Sequence, residues 1–226
     1  SSEEGFISTK CLAHDISMRG AAEATLLASL DYGKIGEEIS RTHKARSAKF
    51  RNAPATRAAS SITPKGEVLV PVLLVEFSDV KFSFSKEDID KLLNEPGYKY
   101  DNFMSDCNGS ARDYFIAQSD SQFRPRFVTT EIVTLPQPMA YYGGNGTDGE
   151  DKNPLQMIRH GIALADSLMD MSQFDNNGDG EVEFVYCIYA GYSEANGASE
   201  NTIWPHQWQL TAGGGKYIAD GVLFDV

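Results

Sequence analysis

The sequence predicts an α/β (α+β) layer fold, and three segments carry that prediction. Glu67 to Phe77 is almost uninterruptedly apolar, as a strand buried on both faces must be. From Asn153-Pro154 onward, Leu155, Ile158, Ile162, Ala165 and Met169 recur at spacings of three and four, the stripe of an amphipathic helix. A β-branched and aromatic run, Phe184 to Tyr189, then gives a second strand closed by Ala190-Gly191. Strands alternating with helices require layers packed around a mixed, largely buried sheet. A chain of 226 residues suits one or two domains and can bury a substantial core.

Taken in order, the first 66 residues form a separate segment, with helices expected from about Ala21 to Leu30 and from about Ile35 to Phe50. Neither has a broad apolar face, so both need a larger body to pack on. Residues 51–64 are small and carry two prolines, Arg51 and Arg57, the composition of a protease-accessible linker. The body, residues 67–226, opens with the buried strand, in which Pro71 demands an edge position or a bulge. A helix over Lys86 to Asn94 follows from the capping-box spacing of Ser85 and Asp88, with Ile89, Leu92 and Leu93 on one face. Ser110 and Asp113 repeat that spacing before Tyr114-Phe115-Ile116, and Arg126 to Leu135 is strand-like. Tyr141 to Lys152 is a Gly-rich acidic loop, and Asn153-Pro154 caps the amphipathic helix with proline at its first position.

Charge narrows the function classes. The net charge of −12 is divided unevenly: residues 1–66 carry ten Lys/Arg against seven Asp/Glu, and residues 67–226 carry ten against twenty-five. An intramolecular attraction of the basic segment for the acidic body is expected, and the acidic body argues against nucleic-acid binding. No apolar stretch has the length of a transmembrane span. The N-terminus lacks a signal-peptide layout, although a trimmed export precursor would read the same way. Cys11, Cys107 and Cys187 are too few and scattered for a disulfide framework or a zinc knuckle, and Cys187 reads as a buried thiol.

The motif with chemical content is Asp175-Asn176-Asn177-Gly178-Asp179-Gly180-Glu181-Val182-Glu183. Oxygen-bearing side chains at alternate positions around a glycine are how a short loop wraps calcium, which takes six to eight oxygen ligands. Asp175, Asn177 and Asp179 occupy the first three ligand positions, Glu181 the next, and Glu183 substitutes for the twelfth, where Tyr186 stands. A strand follows, so the loop is a static helix-to-strand staple and not an opening sensor. A metal-free Asx/Gly turn with its acids in water is the alternative.

Other chemistry is missing. His14, His43, His160 and His206 include no His-Glu-x-x-His, so no helix here offers zinc two imidazoles at i and i+4. His160 reads as a surface or capping histidine, and His206 as packed between Trp204 and Trp208. No Gly-x-Ser-x-Gly elbow occurs, and Gly213-Gly214-Gly215-Lys216 lacks the pattern of a phosphate loop.

Six segments, in order, together resemble the immune inhibitor A-like secreted metallopeptidases. They are 72–79 (VLLVEFSD), 109–115 (GSARDYF), 140–143 (AYYG), 174–180 (FDNNGDG), 189–194 (YAGYSE) and 203–208 (IWPHQW). The resemblance implies a zincin-like fold, with residues 67–226 as its upper, sheet-bearing part. It also implies zinc-dependent endopeptidase chemistry on protein or peptide substrates, bound calcium, and a secreted or cell-envelope location. The zinc motif of such enzymes would lie beyond residue 226, so no catalytic residue is carried over and this chain alone is expected to be inactive. Residues 1–66 then look like the propeptide of a zymogen, cleaved near Arg51 or Arg57, with Cys11 or Asp15 as candidate zinc caps. A non-enzymatic calcium-dependent binding or adhesion module using Trp204 to Trp208 is the alternative.

Overall fold

A computed structural model describes residues 20–29, 65–99, 107–210 and 216–224. The expected helix over 35–50, the linker, Cys11, Asp15, Arg51, Arg57, His14, His43 and Gly213 to Gly215 lie outside the described residues. The chain divides into two compact units, Ser1–Ala58 and Ala59–Val226. In the first, helix α1 spans Ala21–Ala28, and Thr25 Oγ1 donates back to the Ala21 carbonyl at 2.8 Å.

The second unit is built on β1 (Gly66–Glu76), the central strand of a three-stranded parallel sheet. Helices α2 (Lys86–Asn94) and α3 (Ala111–Gln118) lead to β2 (Phe123–Thr134) on one side of β1. The short helix α4 (Met139–Gly143) and the long helix α5 (Pro154–Asp166) precede β3 (Glu181–Val182) and β4 (Tyr186–Tyr189), and β4 pairs with the other side of β1. A smaller mixed sheet has the order β3-β6-β5, where β5 (Tyr217–Ala219) and β6 (Val222–Phe224) form a hairpin.

The period-2 alternation of β1 feeds two cores. Val68, Val70, Val72 and Leu74 point to the layer holding Ile89 of α2 and Phe115 of α3. Leu73, Val75 and Phe77 face the layer holding Met157, Ile162 and Ala165 of α5. The alternate side chains are apolar on both faces because each face meets helices, as expected for a parallel strand. Both expected capping boxes form: Ser85 and Ser110 accept from the backbone N–H three residues on, and Asp88 and Asp113 reach back. Each cap contributes about 1 kcal/mol.

Two expectations need correction. Asn153 stands at the N-cap of α5, but its side chain makes no cap bond; its Nδ2 donates to the Tyr141 carbonyl at 2.7 Å and ties the helix start to α4. The buried stripe of α5 is Met157, Gly161, Ile162 and Ala165, with Leu155, Ile158 and Met169 at its margin. Gly161 belongs there because a Cβ on it would meet Val75 Cγ1 at 3.2 Å and Leu73 Cδ1 at 3.3 Å. A residue without a side chain lets α5 lie directly on β1.

Pro71 sits in a central strand, which its missing N–H would ordinarily forbid. Even-numbered residues of β1 direct their N–H groups toward β2, as Leu74 does to Thr130 Oγ1 at 3.0 Å across a bulge in β2. Odd-numbered residues face the β4 side, as the Val75 carbonyl does in accepting from Ala190. Pairing with β4 begins only at Val72. Pro71 therefore turns its absent N–H to a stretch of the β1 edge that has no partner strand among the described residues.

Candidate cation loop and its surroundings

The loop begins after a 3-10 turn, Met171–Phe174, and not directly from a helix, and it ends in the two-residue strand β3. Asp175 organises it. Oδ1 accepts from the N–H of Gly178 at 2.8 Å and of Asp179 at 3.1 Å, and Oδ2 accepts from Gly180 at 2.8 Å. Three donors converge on one carboxylate only because Gly178 and Gly180 adopt φ of +76° and +85°, a region that excludes most side chains. Asn177 Oδ1 accepts from the Asp179 N–H at 2.9 Å, its Nδ2 donates to Asp179 Oδ2 at 3.1 Å, and Asp179 Oδ1 accepts from the Glu181 N–H at 3.0 Å.

The structure thus brings Asp175, Asn177 and Asp179 into one network, with Glu181 joined through its backbone. Glu183 turns elsewhere: its Oε2 accepts from Asn176 Nδ2 at 3.2 Å, and its Oε1 is buried with no hydrogen-bond partner. Among the described residues, no three or more His, Cys, Asp or Glu side chains come together to hold a metal ion. The zinc site of a metallopeptidase is therefore not supplied by the described residues. Four carboxylates and one amide lie along the loop, hard oxygen donors of the kind calcium takes, and Glu183 Oε1 is buried with no hydrogen-bond partner.

The residue missed in the sequence is Asn176. Its Oδ1 accepts from the Leu69 N–H at 2.8 Å and its Nδ2 donates to the Leu69 carbonyl at 3.0 Å. That is the pair of bonds a neighbouring strand would give β1. Its only sequence signal is phase: Asn176 lies between two ligand positions, so it points away from the ring that Asp175 and Asn177 start.

The histidines are placed differently from expectation. His160 is half-buried, with Nδ1 at 2.8 Å from Tyr142 Oη and Nε2 at 2.7 Å from Gln156 Nε2, so it bridges α4 and α5 and caps nothing. Burial raises the pKa of Tyr142. His206 lies at the surface and not in the core; its Nδ1–H donates to the Trp204 carbonyl at 2.7 Å. Asp151, whose side chain is only 4% exposed, accepts from the Trp204 N–H at 3.0 Å and stands 4.0 Å from His206 Nδ1. Cys187 is a free thiol, half-buried in β4 and not fully buried as expected, and desolvation pushes its pKa up to about 12.

By its layers the second unit is an α/β domain, with parallel strands covered by helices on both faces. Among curated proteins the chain is similar to immune inhibitor A of Bacillus thuringiensis subsp. alesti, with 28% identity over 204 residues, 72% of this chain and 28% of that protein. The relationship is distant, and it agrees with the resemblance carried by the six ordered segments. The chain spans well under half the length of this relative. No protein-family model matches the chain. No helix among the described residues is long and apolar enough to cross a membrane.

Proposed function

We propose that the chain is the N-terminal part of a secreted zinc-dependent endopeptidase acting on protein or peptide substrates. Residues 1–66 serve as its propeptide and residues 67–226 as the zincin-like, sheet-bearing portion of the catalytic domain. The observation that carries this reading is the similarity to immune inhibitor A over 72% of the chain. In this reading the zinc motif lies beyond residue 226, the chain by itself is proteolytically silent, and its role is to build the scaffold on which the zinc helix and substrate are placed.

In the same reading the loop takes calcium through Asp175, Asn177, Asp179, Glu181 and Glu183. Support comes from the alternate spacing of hard oxygen donors and from the buried Glu183 Oε1, which has no hydrogen-bond partner. A cation there would brace the loop against β1 and contribute nothing to bond cleavage.

The test is to extend the reading frame beyond Val226 and express the longer protein. The expected result is a His-Glu-x-x-His within a few dozen residues and chelator-sensitive cleavage of an unfolded protein substrate, with no cleavage by residues 1–226 alone. A longer protein lacking both the motif and the activity would leave the peptidase reading without support.

A further inference from the structure

Asn-Gly occurs four times in the chain, at 108–109, 145–146, 177–178 and 196–197, and all four pairs lie in described residues. In such a pair a main-chain nitrogen can attack the preceding side-chain amide, because the glycine has no Cβ to block the approach. By sequence the four are equal; the fold separates them. Asn145 Nδ2 donates to Glu194 Oε1 at 3.2 Å, the Gly146 N–H donates to the Glu150 carbonyl at 2.8 Å, and Asp148 Oδ1 fills the space beside Gly146. Asn177 is bonded at both ends of its amide to Asp179, and the Gly178 N–H donates to Asp175 Oδ1 at 2.8 Å. Asn108 is exposed, but the Gly109 N–H donates to the carbonyl of buried Tyr98 at 3.0 Å, and the Asp113 side chain takes the space beside Gly109.

Asn196-Gly197 is held more loosely. Both residues are exposed, no described residue hydrogen-bonds the Asn196 side chain, and no atom beyond the chain neighbours lies within 4 Å of where a Cβ on Gly197 would stand. Gly197 ends the three-residue 3-10 turn Glu194–Asn196 with φ of +83°, and its N–H donates to the Glu194 carbonyl at 2.9 Å. That bond belongs to a 3-10 turn, whose hydrogen-bond geometry is poor, on an exposed loop where local opening costs little.

We propose that Asn196 is the position at which the folded chain deamidates. When the turn opens, the Gly197 main-chain nitrogen gives its proton to solvent and attacks Asn196 Cγ. The new N–C bond closes a succinimide ring, and the side-chain nitrogen takes a proton back and leaves as ammonia. Water then opens the ring, giving aspartate or, where it attacks the main-chain carbonyl, isoaspartate; no other reactant is consumed. The product places a new carboxylate two residues from Glu194, whose Oε1 accepts from Asn145. In its iso form it also lengthens the main chain of a turn whose start is fixed to Ile203 by the Ser193 bridge and the Glu194 N–H. Chemical ageing of the chain therefore begins at this turn and loosens the segment between β4 and Trp204.

The test is peptide mapping by mass spectrometry of the 226-residue chain aged at mildly alkaline pH, with isoaspartate counted by enzymatic methylation. Asn196 should convert first, about tenfold faster than Asn145 and Asn177, since each of those must give up side-chain hydrogen bonds before it can react. In denaturant the four pairs should convert at similar rates, which separates the contribution of the fold from that of the sequence. Asn196→Gln, whose longer side chain closes the ring poorly, should remove the early acidic species from isoelectric focusing. Native conversion that starts at another pair or proceeds at all four alike overturns the proposal. So does a preference for Asn196 that survives in denaturant, or an early acidic species that persists in Asn196→Gln.

Discussion

The side-chain amide of Asn176 pairs with both backbone groups of Leu69, accepting its N–H at 2.8 Å and donating to its carbonyl at 3.0 Å. Asn94 does the same to Phe127 on the outer side of β2, at 3.0 and 2.9 Å. Phe127 is the register partner of Val70, so the two amides close the two-stranded end of the sheet from opposite sides at nearly one level. The candidate cation loop is thereby fastened to the central strand whether or not an ion is present.

Asn176→Ala should therefore destabilise the fold, because two half-buried backbone groups of Leu69 lose their partners. At about 1 kcal/mol for each net bond and more for a group left unsatisfied, the loss should be about 2–3 kcal/mol. Urea denaturation reads it as a lower midpoint with little change in slope. An unmoved midpoint would mean that water replaces the amide without loss.

Much of the fold was legible in the sequence, and the reasons are local. Ser85 with Asp88 and Ser110 with Asp113 announced two helix starts, since a capping box is complete within four residues. The two-sided burial of β1 followed from its unbroken apolar run. Asn153 was misread because its side chain has a non-local choice, the Tyr141 carbonyl, which spacing cannot reveal. The spacing marked Asp175, Asn177 and Asp179 as one group of inward-turning side chains because their partners are local, whereas Asn176 depends on Leu69, 107 residues away. Pro71 marked an irregular edge correctly in kind but gave no hint that the strand would be central.

If the loop takes calcium, chelation should lower the melting temperature of the chain. A ligand bound only by the native state contributes about 2.7 kcal/mol at a hundred times its dissociation constant. Asp179→Ala should melt at the same temperature with and without chelator. A wild-type melting curve that ignores the chelator would remove calcium from the account.

Asp113 predicts part of the acid limb of stability. Its carboxylate accepts from the Ser110 N–H at 3.0 Å and the Gly97 N–H at 2.7 Å, and these bonds lower its pKa. A depressed folded-state value means stability that is present above the ordinary aspartate range, near 4, and is lost as pH falls through the folded value. Asp113→Asn should flatten that limb in denaturation curves taken between about pH 2 and 5. An unchanged acid limb would assign the loss to other carboxylates.

At Gly161 two effects compete. Alanine would gain about 1 kcal/mol of helix propensity, while its Cβ would press on Val75 and Leu73 at 3.2 and 3.3 Å. Gly161→Ala should therefore be close to neutral, and Gly161→Val should lose about 1–3 kcal/mol through overpacking. Thermal melts of the two variants separate the terms, and a tolerated valine would show the α5–β1 contact to be loose.

Cys187 should resist thiol reagents in the folded chain at neutral pH, since burial pushes its thiol up to about 12 and the thiolate is the reactive form. Its labelling rate should follow the unfolding equilibrium in denaturant. Prompt labelling under native conditions would show that β4 opens locally.

The paired asparagines also bear on how copies of the chain treat one another. A strand margin with bare N–H and C=O groups is a template on which another molecule can lay its own backbone. At the level of Leu69 and Phe127 both margins are stoppered by side chains, which satisfy the ladder without extending it. The amide that anchors the loop thus also occupies the backbone groups of Leu69 that an added strand would need, and freeing the loop would bare them on the most apolar strand of the sheet.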